Sequence, residues 1–250
     1  MPTPHKIALS PLQAMLLPFL LVFCNSTAQT DMKNTLTVQK IMAPKPQTLA
    51  EVGKLLEEKT DLHTVGTVNW AHFSYAPKVR FRIGHAQEEI WLKFYVEEEH
   101  ILARHTETNA ATHRDSCVEF FVDPGDKGHY YNFEFNCIGT THLAYGPNRK
   151  ERRFVAAEVI EKELAIASSL GKDAFEERSG GHRWEMTVVI PKTVFTFTPG
   201  LSFDGLVAKA NFYKCGDDTA QPHYLSWSPI QTENPDFHRP EFFGTLHFGE

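Results

Sequence analysis

The stretch DSCVEFFVDPGDKGHYYNFEFNC, Asp115 to Cys137, alternates apolar and polar side chains on either side of a Pro-Gly-Asp turn. Period two marks a half-buried strand, and a turn-forming centre between two such runs marks a hairpin. Val118, Phe120 and Val122 alternate with Cys117, Glu119 and Phe121, while Tyr131, Phe133 and Phe135 alternate with Asn132, Glu134 and Asn136. Bringing the two apolar sets together forces Glu119, Asn132, Glu134 and Asn136 onto the opposite surface. Cys117 shares that polar face and Cys137 the apolar one, so the two thiols are expected to point apart and not to bridge.

Working outward, the same period recurs in VRFRI, IWLKFYV, WEMTVVI and VAKANFY, separated by SGG and TPGLSFDG. Many short alternating strands with Gly, Pro and Asp turns predict a mainly β chain, an antiparallel β-sandwich. One short helix precedes it. In TLAEVGKLLEEKT, Thr48 is the N-cap and Glu51 completes a capping box, with Leu49, Val52, Leu55 and Leu56 on one face. The stretch AAEVIEKELAIASSLG opens on helical spacing and closes on strand spacing, and its boundary stays open. Residues 46–250 are assigned to the sandwich domain. Residues 29–45 are polar and proline-bearing, and are expected to form an extended lead-in outside the core.

Residues 7–24 are apolar behind Lys6, and the small residues Ser26 to Ala28 follow, which reads as a signal peptide over residues 1–28 and an exported protein, periplasmic or extracellular. A membrane span is disfavoured, because the run carries two prolines and is short for the ~20 residues a bilayer needs. Lipid anchoring through Cys24 is a third reading, opposed by the bulky Phe23. The formal net charge is -6, and RKERR at Arg149 to Arg153 is the single basic cluster, so nothing tracks a phosphate backbone and no nucleic-acid partner is expected.

No nucleophile elbow, phosphate loop, dinucleotide fingerprint or zincin helix occurs in the chain. None of the 13 histidines stands in H-x-H or paired-ligand spacing, so no transition metal and no cofactor is expected. Asp123 and Asp126, and Asp217 and Asp218, offer oxygen ligands for calcium, against which stands ordinary turn chemistry. Cross-strand neighbours such as Glu119 and Glu134 lie about 4.5–5.5 Å apart between Cβ atoms, within the range of a retaining acid/nucleophile pair. Three readings follow, in this order: a polar platform for sugar hydroxyls, a solvated outer face, and a catalytic dyad.

Taken in order, DSCVEFFVD, YYNFEFN, WEMTVVIP, NFYKCGD and YLSWSPI…NPDFHRPEFFGTLHF resemble the family-nine carbohydrate-binding modules, in their divergent, secreted bacterial branch, from about Val65 to Phe248. The resemblance implies a DOMON-like sandwich that binds a glycan end without catalysis, with an oligo- or polysaccharide as partner, alongside glycan-processing proteins of polysaccharide catabolism. Family members sandwich a sugar between two tryptophans, whose places are taken here by His113 and Phe237. The resemblance keeps Glu119 and Asn234 at ligand positions and puts Glu134 where an arginine stands. Trp227 matches a core residue. With Asn132, Tyr213 and Arg239, these residues make the candidate ligand set. Two alternatives are carried forward: a glycan-active hydrolase or accessory protein using Glu119 and Glu134, and a haem-binding sandwich, for which Met186 falls at core spacing and so reads as packing.

Overall fold

A computed structural model describes residues 1–3 and 33–250, so the signal-peptide and Cys24 readings fall outside the described residues. The strands are β1 (Thr35–Lys40), β2 (His63–Val65), β3 (Thr67–Val68), β4 (Lys78–Ala86), β5 (Glu89–Ala103), β6 (Cys117–Asp123) and β7 (Tyr130–Asn136), then β8 (Thr141–Gly146), β9 (Arg153–Phe154), β10 (Ala165–Ser168), β11 (Phe175–Pro191), β12 (Val207–Cys215), β13 (Tyr224–Ser226) and β14 (Gly244–Phe248). The helices are α1 (Leu49–Lys59) and α2 (Ala157–Glu163). Strand order runs β10-β11-β5-β4-β1-β14-β12-β6-β7-β8-β9, a sheet folded over on itself at β1. Its two layers face each other. Phe81 of β4 stacks on Phe212 of β12 at 3.9 Å between ring centroids, and Phe120 stacks on Phe212 from the next strand at 4.9 Å.

The expectation that residues 29–45 stay outside the core is corrected by β1. In TLTVQK the apolar residues alternate, and Leu36 and Val38 are buried between the layers. Thr35 to Val38 pair with β14, and Gln39 and Lys40 with β4, both parallel. One strand thereby closes the fold, and the sheet is mixed where the sequence predicts antiparallel pairing throughout. The helix agrees with its sequence signals. Thr48 Oγ1 accepts from the Glu51 amide and Glu51 reaches back to the Thr48 amide. Val52 and Leu56 then pack on Trp91 and Val189 outside the second layer. AAEVIEKELAIASSLG divides into α2 and β10, as its two spacings suggest.

The central hairpin has the register read from its pattern. Glu119 faces Glu134, Phe120 faces Phe133, and Phe121 faces Asn132. Val118, Phe120, Phe133, Phe135 and Cys137 enter the main core, whereas Cys117, Phe121 and Tyr130 belong to a second cluster on the other face. The three described cysteines are free thiols. Trp227 and Met186 are core residues of the sandwich.

One ionic contact crosses the layers. Lys214 of β12 meets Glu98 of β5 at 2.8 Å with both side chains fully buried. Trp184 Nε1 donates to the other oxygen of Glu98 at 2.7 Å. Lys214 Nζ also donates to the Cys215 carbonyl and to His223 Nε2, each at 2.8 Å. Burial, followed by the charge of Lys214, pushes the His223 imidazole well below its ordinary value, so it accepts as a neutral ring.

Candidate functional site

The polar face of the hairpin is not a solvated surface, and that reading is corrected. Every residue of β6 and β7 is buried. The cover is the segment after β13, which lays Ile230, Phe237 and Phe243, together with Trp70, over Phe121, Tyr130 and Tyr213. Several bonds fix it there. Trp70 Nε1 donates to the Thr232 carbonyl at 2.9 Å, the Tyr213 hydroxyl donates to the Phe237 carbonyl at 3.1 Å, and the Tyr130 hydroxyl meets His238 Nδ1 at 2.8 Å. Between cover and sheet lies a cavity of about 120 Å³, walled by His113, Glu119, Glu134, Phe237 and Tyr224, by Arg149, Arg152, Cys215 and Asp217, and by Pro235, Asp236 and His238.

Four of the eight residues expected from sequence thus come together at this cavity: His113, Glu119, Glu134 and Phe237. Asn132 stands behind them, donating its amide to Glu134 Oε1 at 2.8 Å. Tyr213 supports Phe237, with the rings parallel at 4.1 Å. Phe237 keeps 7% exposure, so it is at once a wall of the cavity and a packed ring. Asn234 and Arg239 are placed elsewhere. Asn234 is exposed, and Arg239 pairs with Glu241 while lining a neighbouring groove with Arg149, Asp236 and His238.

The residues that the sequence reading missed come from loops. Arg149 and Arg152 belong to RKERR between β8 and β9, a run considered only as a possible phosphate track. Asp217 belongs to CGDD, considered only as a turn or calcium ligand; its amide donates to the His113 carbonyl at 3.1 Å. The other acidic turn uses its own oxygens, since the Gly125 and Gly128 amides donate to Asp123 at 3.0 and 2.6 Å.

The two glutamates at the floor have opposite electrostatics. Glu119 is held well above its ordinary pKa, first by burial and then by the charge of Glu134 directly across the ladder, so the site favours its protonated form. Its Oε1 accepts from the Cys215 thiol at 3.1 Å. Burial alone would raise Glu134 as well. Facing His142, His113 and His238 instead pull it down to about 2. His113 Nδ1 stands 3.6 Å from one oxygen, Arg152 and His142 stand 3.8 and 3.9 Å from the other, and Thr112 Oγ1 donates at 3.4 Å. The His113 imidazole is raised in return, chiefly by the Glu134 carboxylate beside it. At these separations the inner nitrogens of Arg152 and His142 make no hydrogen bond to protein. Arg152 Nη1 remains a donor aimed at the anion's surroundings.

A neutral acid and an anion side by side give one donor and one acceptor at a fixed spacing, with ring carbons opposite. That arrangement suits a small molecule carrying several hydroxyls on an apolar frame. The cavity's 120 Å³ is close to the roughly 150 Å³ of an engineered protein cavity that holds a benzene ring, so it admits about one ring.

Comparison with known proteins bears on the same residues. The sequence model of carbohydrate-binding family 9 matches residues 50–248. A candidate carbohydrate-binding protein from Bacteroides uniformis ATCC 8492 is 41% identical, covering 86% of this chain and 99% of its own, with a TM-score of 0.82. Two structures of a family 9 carbohydrate-binding module from Caldicellulosiruptor kristjanssonii, one with glucose and one with cellotriose, share the fold at 12% and 10% identity. Their TM-scores are 0.54 and 0.53; they cover 87% and 86% of this chain, and it covers 97% and 94% of them. No curated protein matches.

Proposed function

Because the chain belongs to carbohydrate-binding family 9, we propose that it is a non-catalytic carbohydrate-binding protein whose site is the cavity between the hairpin and the 230–243 cover. The observation that carries this placement is the juxtaposition of Glu119 and Glu134, one shifted towards the acid and the other towards the anion, beside the rings of Phe237 and Tyr224 in one cavity. A sugar needs that mixture. Its hydroxyls donate to the Glu134 carboxylate, a ring or hydroxyl oxygen accepts from the Glu119 acid, and its C–H face packs on aromatic carbon. The volume favours one terminal residue of an oligo- or polysaccharide, with the remainder of the chain leaving along the groove of Arg149, Asp236 and Arg239.

Export is part of the proposal and rests on the apolar run before Ser26 to Ala28. No helix of the described residues is long and apolar enough to cross a membrane. The protein then meets polysaccharide, and the proteins that process it, outside the cytoplasm. A glycan array probed with residues 29–250 tests the reading, with release of reducing ends assayed on each hit. Binding that Glu134→Gln weakens, with no product formed, supports it. Hits that bind Glu134→Gln and Phe237→Leu as tightly as wild type would move the site elsewhere, and product formation abolished by Glu119→Gln would make the pair catalytic.

A further inference from the structure

The floor of the cavity holds a second constellation, which shares Glu119 with the proposed sugar site and adds two thiols that sugar recognition leaves unexplained. β6 and β12 are antiparallel, with Cys117 opposite Cys215 and Glu119 opposite Tyr213. Cys117, Glu119 and Cys215 therefore project from one face. The two thiol sulfurs and a carboxylate oxygen all lie within 4.8 Å of one another, and all three residues are buried. Glu119 and Cys215 also line the cavity, so any fourth position at the cluster opens into it.

We propose that Cys117, Cys215 and Glu119 form a binding site for a thiophilic d10 cation, of which Zn²⁺ is the physiological representative and Cd²⁺ the spectroscopic probe. Such an ion takes sulfur at about 2.3 Å and carboxylate oxygen at about 2.0–2.2 Å in tetrahedral geometry, which puts the donors roughly 3.5–3.8 Å apart. Donors already within 4.8 Å reach that spacing by small side-chain rotations. Two thiolates with one oxygen select soft and borderline ions over calcium or magnesium. Uptake exchanges ligand protons for one dication: two thiol S–H bonds break and two metal–sulfur bonds form, the Glu119 carboxylate oxygen adds one metal–oxygen bond, and the displaced protons enter solvent. His113 and Arg149 on the cavity wall stand where the resulting negative charge falls.

Cys137 provides an internal control within the same chain. It is as buried as the other two, yet it sits in the apolar core, with its thiol donating to the Leu102 carbonyl at 3.5 Å and outside the metal-ligand cluster. A buried cysteine of that kind acts as a small hydrophobe. Cys215 differs in aiming its sulfur at a carboxyl group and standing opposite a second thiol.

The experiment uses the full chain carrying Cys24→Ala, so that only the three described thiols remain. Cadmium titration followed by the ultraviolet thiolate-to-metal charge-transfer band is expected to saturate at one ion per chain, and Zn²⁺ should compete the band away. Cys117→Ser and Cys215→Ser should each abolish it, Glu119→Gln should weaken cadmium affinity by at least about tenfold, and Cys137→Ala should leave it unchanged. Cadmium NMR on the parent protein keeps the test independent of whether a variant folds: a shift characteristic of two sulfur ligands supports the site. A shift of a nitrogen–oxygen site overturns it, as does a band that survives in Cys117→Ser and Cys215→Ser. So does an intact mass two hydrogens light, which would make Cys117 and Cys215 a disulfide.

Discussion

Two regions of this protein bury glutamate, and they bury it differently. Glu98 lies between the layers with a lysine at 2.8 Å on one oxygen and an indole N–H at 2.7 Å on the other. Glu119 and Glu134 lie beneath the cover with each other as nearest neighbours across the ladder, a thiol on one, and histidines and an arginine at 3.6 Å or more around the other. In the first region the two opposite charges touch at 2.8 Å, although the Glu98 oxygen facing Lys214 takes no aligned hydrogen bond. In the second Glu134 accepts from Asn132 and Thr112, but its cationic neighbours stand off at 3.6–3.9 Å, and a cavity separates the pair from the opposite wall. A buried charge in direct contact with its counter-charge holds the fold, whereas one whose counter-charges stand off beside a cavity is positioned for a ligand.

The comparison is broken most forcefully at Lys214. Replacing it with Met leaves the Glu98 carboxyl group between two sheets with only the Trp184 N–H, and breaking a buried pair in this way costs about 3–5 kcal/mol. Urea unfolding of Lys214→Met should show a loss of that size, and the double variant with Glu98→Gln should recover most of it. Glycan affinity of the folded fraction should stay at the wild-type value. Loss of affinity with stability intact would place Lys214 in the ligand site and erase the distinction.

Lowering the pH separates the regions next. His238 in the cover has its pKa lowered from 6.5 to about 3, chiefly by burial. The unfolded chain therefore takes up a proton that the folded chain refuses, and the stability tied to His238 is lost as pH falls from 6.5 towards 3. Each tenfold in proton affinity is worth about 1.4 kcal/mol, so this window carries up to roughly 5 kcal/mol. Glu134 adds a loss below 4.5, present above that value and gone as pH falls through about 2. Denaturant unfolding across pH 3–7 should give a falling curve that His238→Asn flattens; an unchanged curve would show that His238 protonates inside the fold.

How far this was legible in sequence follows from which residues sit on strands. Period two fixed the hairpin register, put Glu119 opposite Glu134 and sent Cys117 and Cys137 to different faces. It also carried a signal that went unread: Glu98 and Lys214 share parity with Phe94 and Phe212, so a charge of each sign falls at a core-facing position. Two such outliers on different strands mark a buried pair. β1 was missed because only Leu36 and Val38 are apolar among its six residues, and flanking prolines dominated the reading. Arg149, Arg152, Asp217, Asp236 and His238 had no periodic signal at all, because loops bring them to the cavity. Asn234 was chosen by likeness to the family and Arg239 from its place in the same loop, and loop positions shift most readily between distant relatives.

Within the pocket, Glu134→Gln removes the charged acceptor and leaves His113 and Arg152 facing an amide. A hydrogen bond to a charged group is worth about 1.5–3 kcal/mol. Calorimetry with any glycan found on the array should show affinity falling roughly ten- to a hundredfold. A smaller change would mean that the anion organises the site without touching the sugar.

The finest distinction is between the two glutamates themselves, and it is one of sign. Glu119 has its pKa raised well above 4.5, so its contribution to stability is present below 4.5 and is lost as pH rises through the folded value. As pH rises past 4.5 the unfolded chain releases a proton that the folded chain holds more tightly, and the fold weakens accordingly. Gln has the same shape without that linkage, keeps an oxygen to accept from Cys215, and offers an N–H where the acid offered O–H. Swapping in a neutral group of the same shape is near neutral on its own. Glu119→Gln should therefore unfold no earlier than wild type at pH 7, with its advantage closing by pH 4.5, and should lose less glycan affinity than Glu134→Gln. Paired melting curves at the two pH values decide it: a variant less stable at pH 7 than at pH 4.5, relative to wild type, would mean that Glu119 is ionised and that the two floor carboxylates share their charge.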